Sequence, residues 1–105
     1  DVVVGLSASG GARYVLAAMN TAKQAGVALT ACVTCVANSP LAQAVDALIV
    51  VEPGPEVLAG STRLKAGTAQ KLVLNMLTTA AMIRVGKTYG NLMVDVRPTN
   101  EKLWK

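Results

Sequence analysis

The sequence contains no histidine and no phenylalanine, and only three aromatic residues, Tyr14, Tyr89 and Trp104. Without histidine, the commonest metal ligand and the commonest acid–base side chain are both missing. So few rings exclude a sheet surface that stacks nucleic-acid bases. Charged residues make up only 15% of the chain, while 52% is hydrophobic, which leaves ample apolar surface to offset chain entropy and excludes disorder. The net charge is +4, yet no three of the ten Lys and Arg adjoin. That distribution suits a few anion-contacting groups and no nucleic-acid partner. The longest apolar stretch, Leu72 to Ile83, is broken by Asn75, Thr78 and Thr79 and falls short of the ~20 residues of a membrane span. Only two cysteines occur, Cys32 and Cys35, inside an apolar, Thr-rich run and not at a helix start. They are too few for a zinc site and read as buried small residues of a reducing compartment, with a redox pair as the alternative. No metal or other cofactor is implied. There is no secretory leader pattern, and the expectation is a cytoplasmic protein. A strand follows Asp1 directly with no initiating Met, so 105 residues are expected to be a piece of a longer chain.

What the sequence does have is alternation of strand and helix signals. Val2-Val3-Val4-Gly5-Leu6 is a β-branched run suited to a strand covered on both faces. Val15, Ala18, Met19 and Ala22 recur at helical spacing, and Gly26 closes that helix. Val27 to Val36 predicts a second buried strand. Asn38-Ser39-Pro40 opens a short helix, Leu41 to Val45, and Ala47 to Val51 a third strand. This order implies an α/β fold with a parallel sheet and right-handed crossovers. A loop from Glu52 to Arg63, rich in Gly, Pro, Ser and Thr, feeds a long helix. Its apolar stripe is Ala69, Leu72, Val73, Met76, Ala80 and Ile83, and Gly86 is its stop. Leu92 to Val96 fits a further strand, and Pro98 with the polar residues after it fits a loop entering a helix that is cut off at Lys105.

Two loops carry candidate chemistry. Ser7-Ala8-Ser9-Gly10-Gly11 lies between a strand's carboxyl end and a helix start, where unpaired N–H groups and the helix dipole favour an anion. Capping by Ser9 is the plainer reading of the same pentapeptide. The second segment, Gly54 to Thr68, opens on the same sheet edge, where ligands of open α/β sheets bind. There Ser61 and Thr62 can cap the long helix and donate to a ligand. Arg63 and Lys65 bring positive charge, and Glu56 is a carboxylate able to bind sugar hydroxyls or move a proton.

The residues of these loops also carry a family resemblance. Ser7-x-Ser9-Gly10 after a Val-rich strand resembles the phosphosugar turn of SIS (sugar isomerase) domains. Gly54-Pro55-Glu56-x-x-x-Gly60-Ser61-Thr62-Arg63-x-Lys65-Ala66-Gly67-Thr68-Ala69-Gln70-Lys71 is similar to the signature of the N-acetylmuramic acid 6-phosphate etherase family and the related glucokinase regulatory protein. Leu72 to Leu77, Gly90 to Val96 and Thr99 to Leu103 continue the match. The resemblance implies a homodimer with a five-stranded parallel SIS sheet between helices, of which this chain would supply the last three strands and the following helix. It implies cleavage of the D-lactyl ether of N-acetylmuramate 6-phosphate, by syn elimination and water addition without a metal. The products are N-acetylglucosamine 6-phosphate and D-lactate. The substrate-binding residues would be Ser7, Ser9, Gly10, Glu56, Ser61, Thr62, Arg63 and Lys65. The family's two catalytic glutamates would lie upstream, leaving the catalytic residues of this chain unassigned and Glu56 the candidate within it. Where the family has Arg-Thr-Pro after Ser-Gly, this chain has Gly11-Ala12-Arg13. The alternatives are a sugar-phosphate-sensing module without chemistry, and a sugar-phosphate isomerase using Glu56.

Overall fold

β-Branched and small apolar residues build three parallel strands, β1 (Val2–Leu6), β2 (Leu29–Thr34) and β3 (Ala47–Val50), in the order β1-β2-β3. The computed structural model describes residues 1–104, and the chain divides after Val73 into two units. In the first unit the strands alternate with α1 (Arg13–Gln24) and α2 (Pro40–Ala44); α3 (Lys65–Arg84) follows β3 and contains the division between the units. The α/β order expected from the sequence is the order found.

The central strand is the most buried. Cys32 and Val33 are fully enclosed, and Thr30, Ala31 and Thr34 nearly so. Alternation sends Cys32 to one face and Val33 to the other, so β2 is apolar on both, as a parallel strand between neighbours requires. On the Cys32 face α1 and α2 bring Met19 and Leu41 into the core, with Val3, Val15, Leu16, Ala18 and Val45 packed around them. Gly5 permits this approach. A Cβ there would stand 2.8 Å from Val15 Cγ1, so only glycine lets α1 lie so close to β1.

The second strand is shorter than the predicted Val27 to Val36. β1 pairs Val2 to Leu6 with Leu29 to Val33, and β3 pairs Ala47 to Val50 with Ala31 to Thr34. Neither neighbour extends far enough to hold Val27, Cys35 or Val36 in a ladder. The third strand likewise ends at Val50, although Val51 N still donates to Thr34 O at 3.0 Å. At the amino-terminal edge Asp46 ties the elements together. One of its oxygens accepts from Thr30 Oγ1 (2.7 Å) and Thr30 N (2.9 Å), and the other pairs with Lys23 Nζ at 3.0 Å.

Only two of the six residues of the predicted stripe of α3 are covered. Val73 is buried and Ala69 half-buried, but Leu72, Met76 and Ile83 are at least half exposed. In the second unit, Thr88–Tyr89 (β4) and Leu92–Met93 (β5) form a two-residue antiparallel hairpin. The predicted strand to Val96 stops early because Asp95 turns into the left-handed region at φ 61°, where its carboxylate accepts from Lys87 Nζ at 2.8 Å. The predicted terminal helix is a single 3-10 turn, Glu101–Trp104, and its expected end at Lys105 lies outside the described residues.

Candidate functional site

The turn after β1 is fastened before any ligand arrives. Ser7 N extends the ladder to Val33 O at 3.1 Å, and Gly10 N donates to both Ser7 O and Ser7 Oγ at 3.1 Å. Cys35 N (2.9 Å) and Thr34 Oγ1 (3.3 Å) both donate to Ala8 O, and Leu41 N donates to Gly10 O at 3.0 Å. Gly10 has φ +67°, and a Cβ there would overlap Ser39, whose Oγ caps α2 by accepting from Ala42 N at 3.2 Å. The β1 turn is therefore locked to the ends of β2 and α2.

Ser9 does not cap α1. The cap position is Ala12, which makes no side-chain bond, and Ser9 Oγ accepts from Gly11 N at 3.3 Å instead. Gly10, Gly11 and Ala12 intervene before the helix, so the hydroxyl is out of reach of its second and third amides. Arg13 is the first residue of α1 and is exposed.

The loop after β3 is closed by a contact that no local spacing announces. Glu56 Oε2 accepts from Lys65 N at 3.0 Å and Oε1 from Ala66 N at 2.9 Å, so this carboxylate satisfies the first amides of α3 from nine and ten residues away. The side-chain caps expected of Ser61 and Thr62 are thus replaced by Glu56. Thr62 contributes its carbonyl, which accepts from Gly67 N at 2.9 Å. These amides, with the Lys65 charge nearby, hold the Glu56 carboxyl below the usual carboxylate range.

A cleft of about 460 Å³ opens at the carboxyl ends of all three strands. Ala8 and Ser9 form the wall from β1, Cys35 and Val36 the wall from β2, and Glu52, Pro53 and Gly54 the wall from β3, with Glu56, Thr62 and Ala66 closing it. That volume suits a small molecule, and the polar groups converging on it are hydroxyls and carboxylates. Of the predicted site residues, Ser9, Glu56 and Thr62 line this cleft. Ser7 and Gly10 support its β1 wall from behind. Arg63 and Lys65 line a separate shallow hollow with Leu64, Thr68 and Leu72, although Lys65 Nζ comes within 3.6 Å of the Cβ position of Gly54. Ser61 is half-buried in the loop and lines neither.

Val36 and Glu52 were not singled out by sequence reasoning, and Cys35 was read there as a buried small residue or half of a redox pair, not as part of a site. Their signal is topological: each directly follows a strand whose carboxyl end opens on the cleft. The two cysteines are free and play different parts, Cys32 inside the core and Cys35 half-buried in the cleft wall. Burial raises both thiols, and the Glu56 charge adds to the rise at Cys35. Among the described residues no three His, Cys, Asp or Glu side chains gather to hold a metal ion. No helix among them is long and apolar enough to cross a membrane.

A parallel sheet with helical crossovers and a cleft at its carboxyl edge defines an open α/β domain, of the class whose ligands bind at that edge. Comparison with known proteins makes the class specific: the SIS domain model matches residues 1–80, and the chain belongs to the SIS domain family. Its relatives include three proteins named N-acetylmuramic acid 6-phosphate etherase. That of Streptomyces avermitilis is 63% identical over 103 residues, that of Vibrio atlanticus 61% and that of Geobacillus thermodenitrificans 58%. Each alignment takes in 98% of this chain and 33%, 33% and 35% of the respective relative. The chain thus spans about a third of the length of the curated relatives it matches.

Proposed function

We propose that the full-length protein is a carbon–oxygen lyase of the N-acetylmuramic acid 6-phosphate etherase type, and that this segment forms part of its phosphosugar site. The observation that carries the reading is identity of 58–63% to etherases across 103 residues, a span that includes both loops of the cleft. In the overall reaction the ether bond to the lactyl group breaks, water supplies the hydroxyl left on the sugar, and D-lactate departs. A histidine-free site is compatible with this chemistry, because carboxylates in unlike environments serve as acid and base. Ser9 and Thr62 supply neutral donors at the cleft, and Lys65 at its rim supplies charge, a combination suited to a phosphate ester. The protein acts in the cytoplasm as a homodimer, where sugar phosphates released from cell-wall material are recycled.

The test is D-lactate release from N-acetylmuramate 6-phosphate by the full-length protein, with one N-acetylglucosamine 6-phosphate formed per lactate. The 105 residues alone release none, because the glutamates that the family resemblance assigns to acid–base catalysis have no counterpart in them. General acid–base help is worth roughly 100- to 10,000-fold per group. Retained affinity for N-acetylglucosamine 6-phosphate with no lactate from the full-length protein would replace the lyase by a sensing module.

A further inference from the structure

We propose that Glu56 is a positioning residue: its carboxylate clasps the Gly54–Arg63 loop to the first turn of α3 and carries no proton in the reaction. Both oxygens are engaged, Oε2 by Lys65 N at 3.0 Å and Oε1 by Ala66 N at 2.9 Å. This is the bonding of a helix cap, delivered from across a loop and reinforced by the helix dipole. Little apolar packing holds the loop, since Val57 and Leu58 at its crest are 88% and 66% exposed, and its other bonds are short backbone turns such as Ser61 N to Leu58 O at 3.0 Å. Thr62, which lines the cleft, lies between the two ends of the clasp and accepts from Gly67 N through its own carbonyl, so the clasp and that bond together hold this part of the loop at the cleft wall. A carboxylate held ionised by two amides is a weak base and is not protonated to act as an acid near neutral pH. Glu52, on the same cleft, is exposed and has no hydrogen-bond or ion-pair partner among the described residues. The carboxylate spent on structure and the carboxylate open to a ligand are therefore different residues.

The kinetic part of this inference rests on the etherase reading, and the experiment separates the two. In the full-length protein, Glu56→Gln keeps one acceptor oxygen and Glu56→Ala keeps none. D-Lactate kinetics are measured across pH, with amide hydrogen exchange of residues 57–66 in the same variants. The loss of one charge-assisted bond is expected to raise KM about tenfold in Glu56→Gln, with kcat within about fivefold of wild type and both limbs of its pH profile kept. Exchange at Lys65 and Ala66 is expected to quicken at least about tenfold in Glu56→Ala. A fall in kcat of about 100-fold or more in Glu56→Gln at unchanged KM, or loss of a pH limb, makes Glu56 a proton carrier and overturns the proposal. Unchanged exchange at the two amides overturns it equally. Should Glu56→Ala not fold, Glu56→Gln carries both readouts. Should the wild-type protein release no D-lactate, the etherase reading fails by itself, and the clasp is judged on exchange and on affinity for N-acetylglucosamine 6-phosphate.

Discussion

Gly10→Ala is expected to be among the most damaging single-methyl additions in the chain. Three costs meet at this position. Residue 10 has φ +67°, which costs an L-residue roughly 1–2 kcal/mol. Its new Cβ overlaps Ser39 Cβ and Oγ and stands 3.1 Å from Thr34 Oγ1, and such overpacking costs about 1–3 kcal/mol. Displacing Ser39 also removes the cap that Ala42 N uses, worth about 1 kcal/mol. The total of about 3–6 kcal/mol is a large part of the ~5–15 kcal/mol that holds a typical domain folded. Urea unfolding of the full-length protein measures it, and a double-mutant cycle isolates the overlap. Ser39→Gly removes the obstructing atoms, so Gly10→Ala should cost about 2 kcal/mol less in that background. A Gly10→Ala midpoint within about 0.5 kcal/mol of wild type, or strict additivity in the cycle, would refute the assigned packing.

Ser9→Ala should raise the dissociation constant for N-acetylglucosamine 6-phosphate about tenfold by calorimetry, while moving the urea midpoint by less than about 0.5 kcal/mol, because Ser9 caps no helix. Asp46, whose bonds to Thr30 and Lys23 lower its pKa from 3.8 to about 2, gives stability that is present above pH 4 and lost as pH falls toward 2. The gap between wild type and Asp46→Asn in urea should therefore close over that window, and a gap that widens on acidification contradicts the assignment. The 105 residues by themselves should associate, since β1 is an edge strand and Met76 is 64% exposed on α3. Light scattering at micromolar concentration should show a dimer or larger species, and a lone 10.8 kDa particle with a cooperative melt argues against it.

The strands and the first helix were legible because Val-rich runs and 3.6-residue spacing are local signals. Strand ends were not, because the length of β2 is set by its neighbours: Cys35 and Val36 continue the apolar run of the sequence but have no ladder position beyond the Thr34–Val50 pair. The candidate site divides the same way. Both loops could be placed on one sheet edge from element order alone, and Ser9, Glu56 and Thr62 do meet there. The duties of those residues were hidden. A capping box spans three residues and can be read from spacing, whereas Glu56 caps α3 from nine residues upstream, where no spacing rule applies. Arg63 and Lys65 looked equivalent to Thr62 in the motif, yet the turn into α3 directs them to a different hollow.

The cleft has a further consequence for folding kinetics. Its first two walls arise only when residues 2–6 find residues 29–33, and its third only when residues 47–50 join the far side of β2. Every wall thus depends on contacts between segments distant in sequence, which form late because loop closure precedes their reward. The Glu56 clasp to Lys65 and Ala66 spans only nine and ten residues, and it becomes part of the cleft only once β3 is seated. A ligand that needs all three walls should therefore act mainly by slowing unfolding, lengthening the lifetime of the native domain by a factor of one plus the ratio of free ligand concentration to Kd.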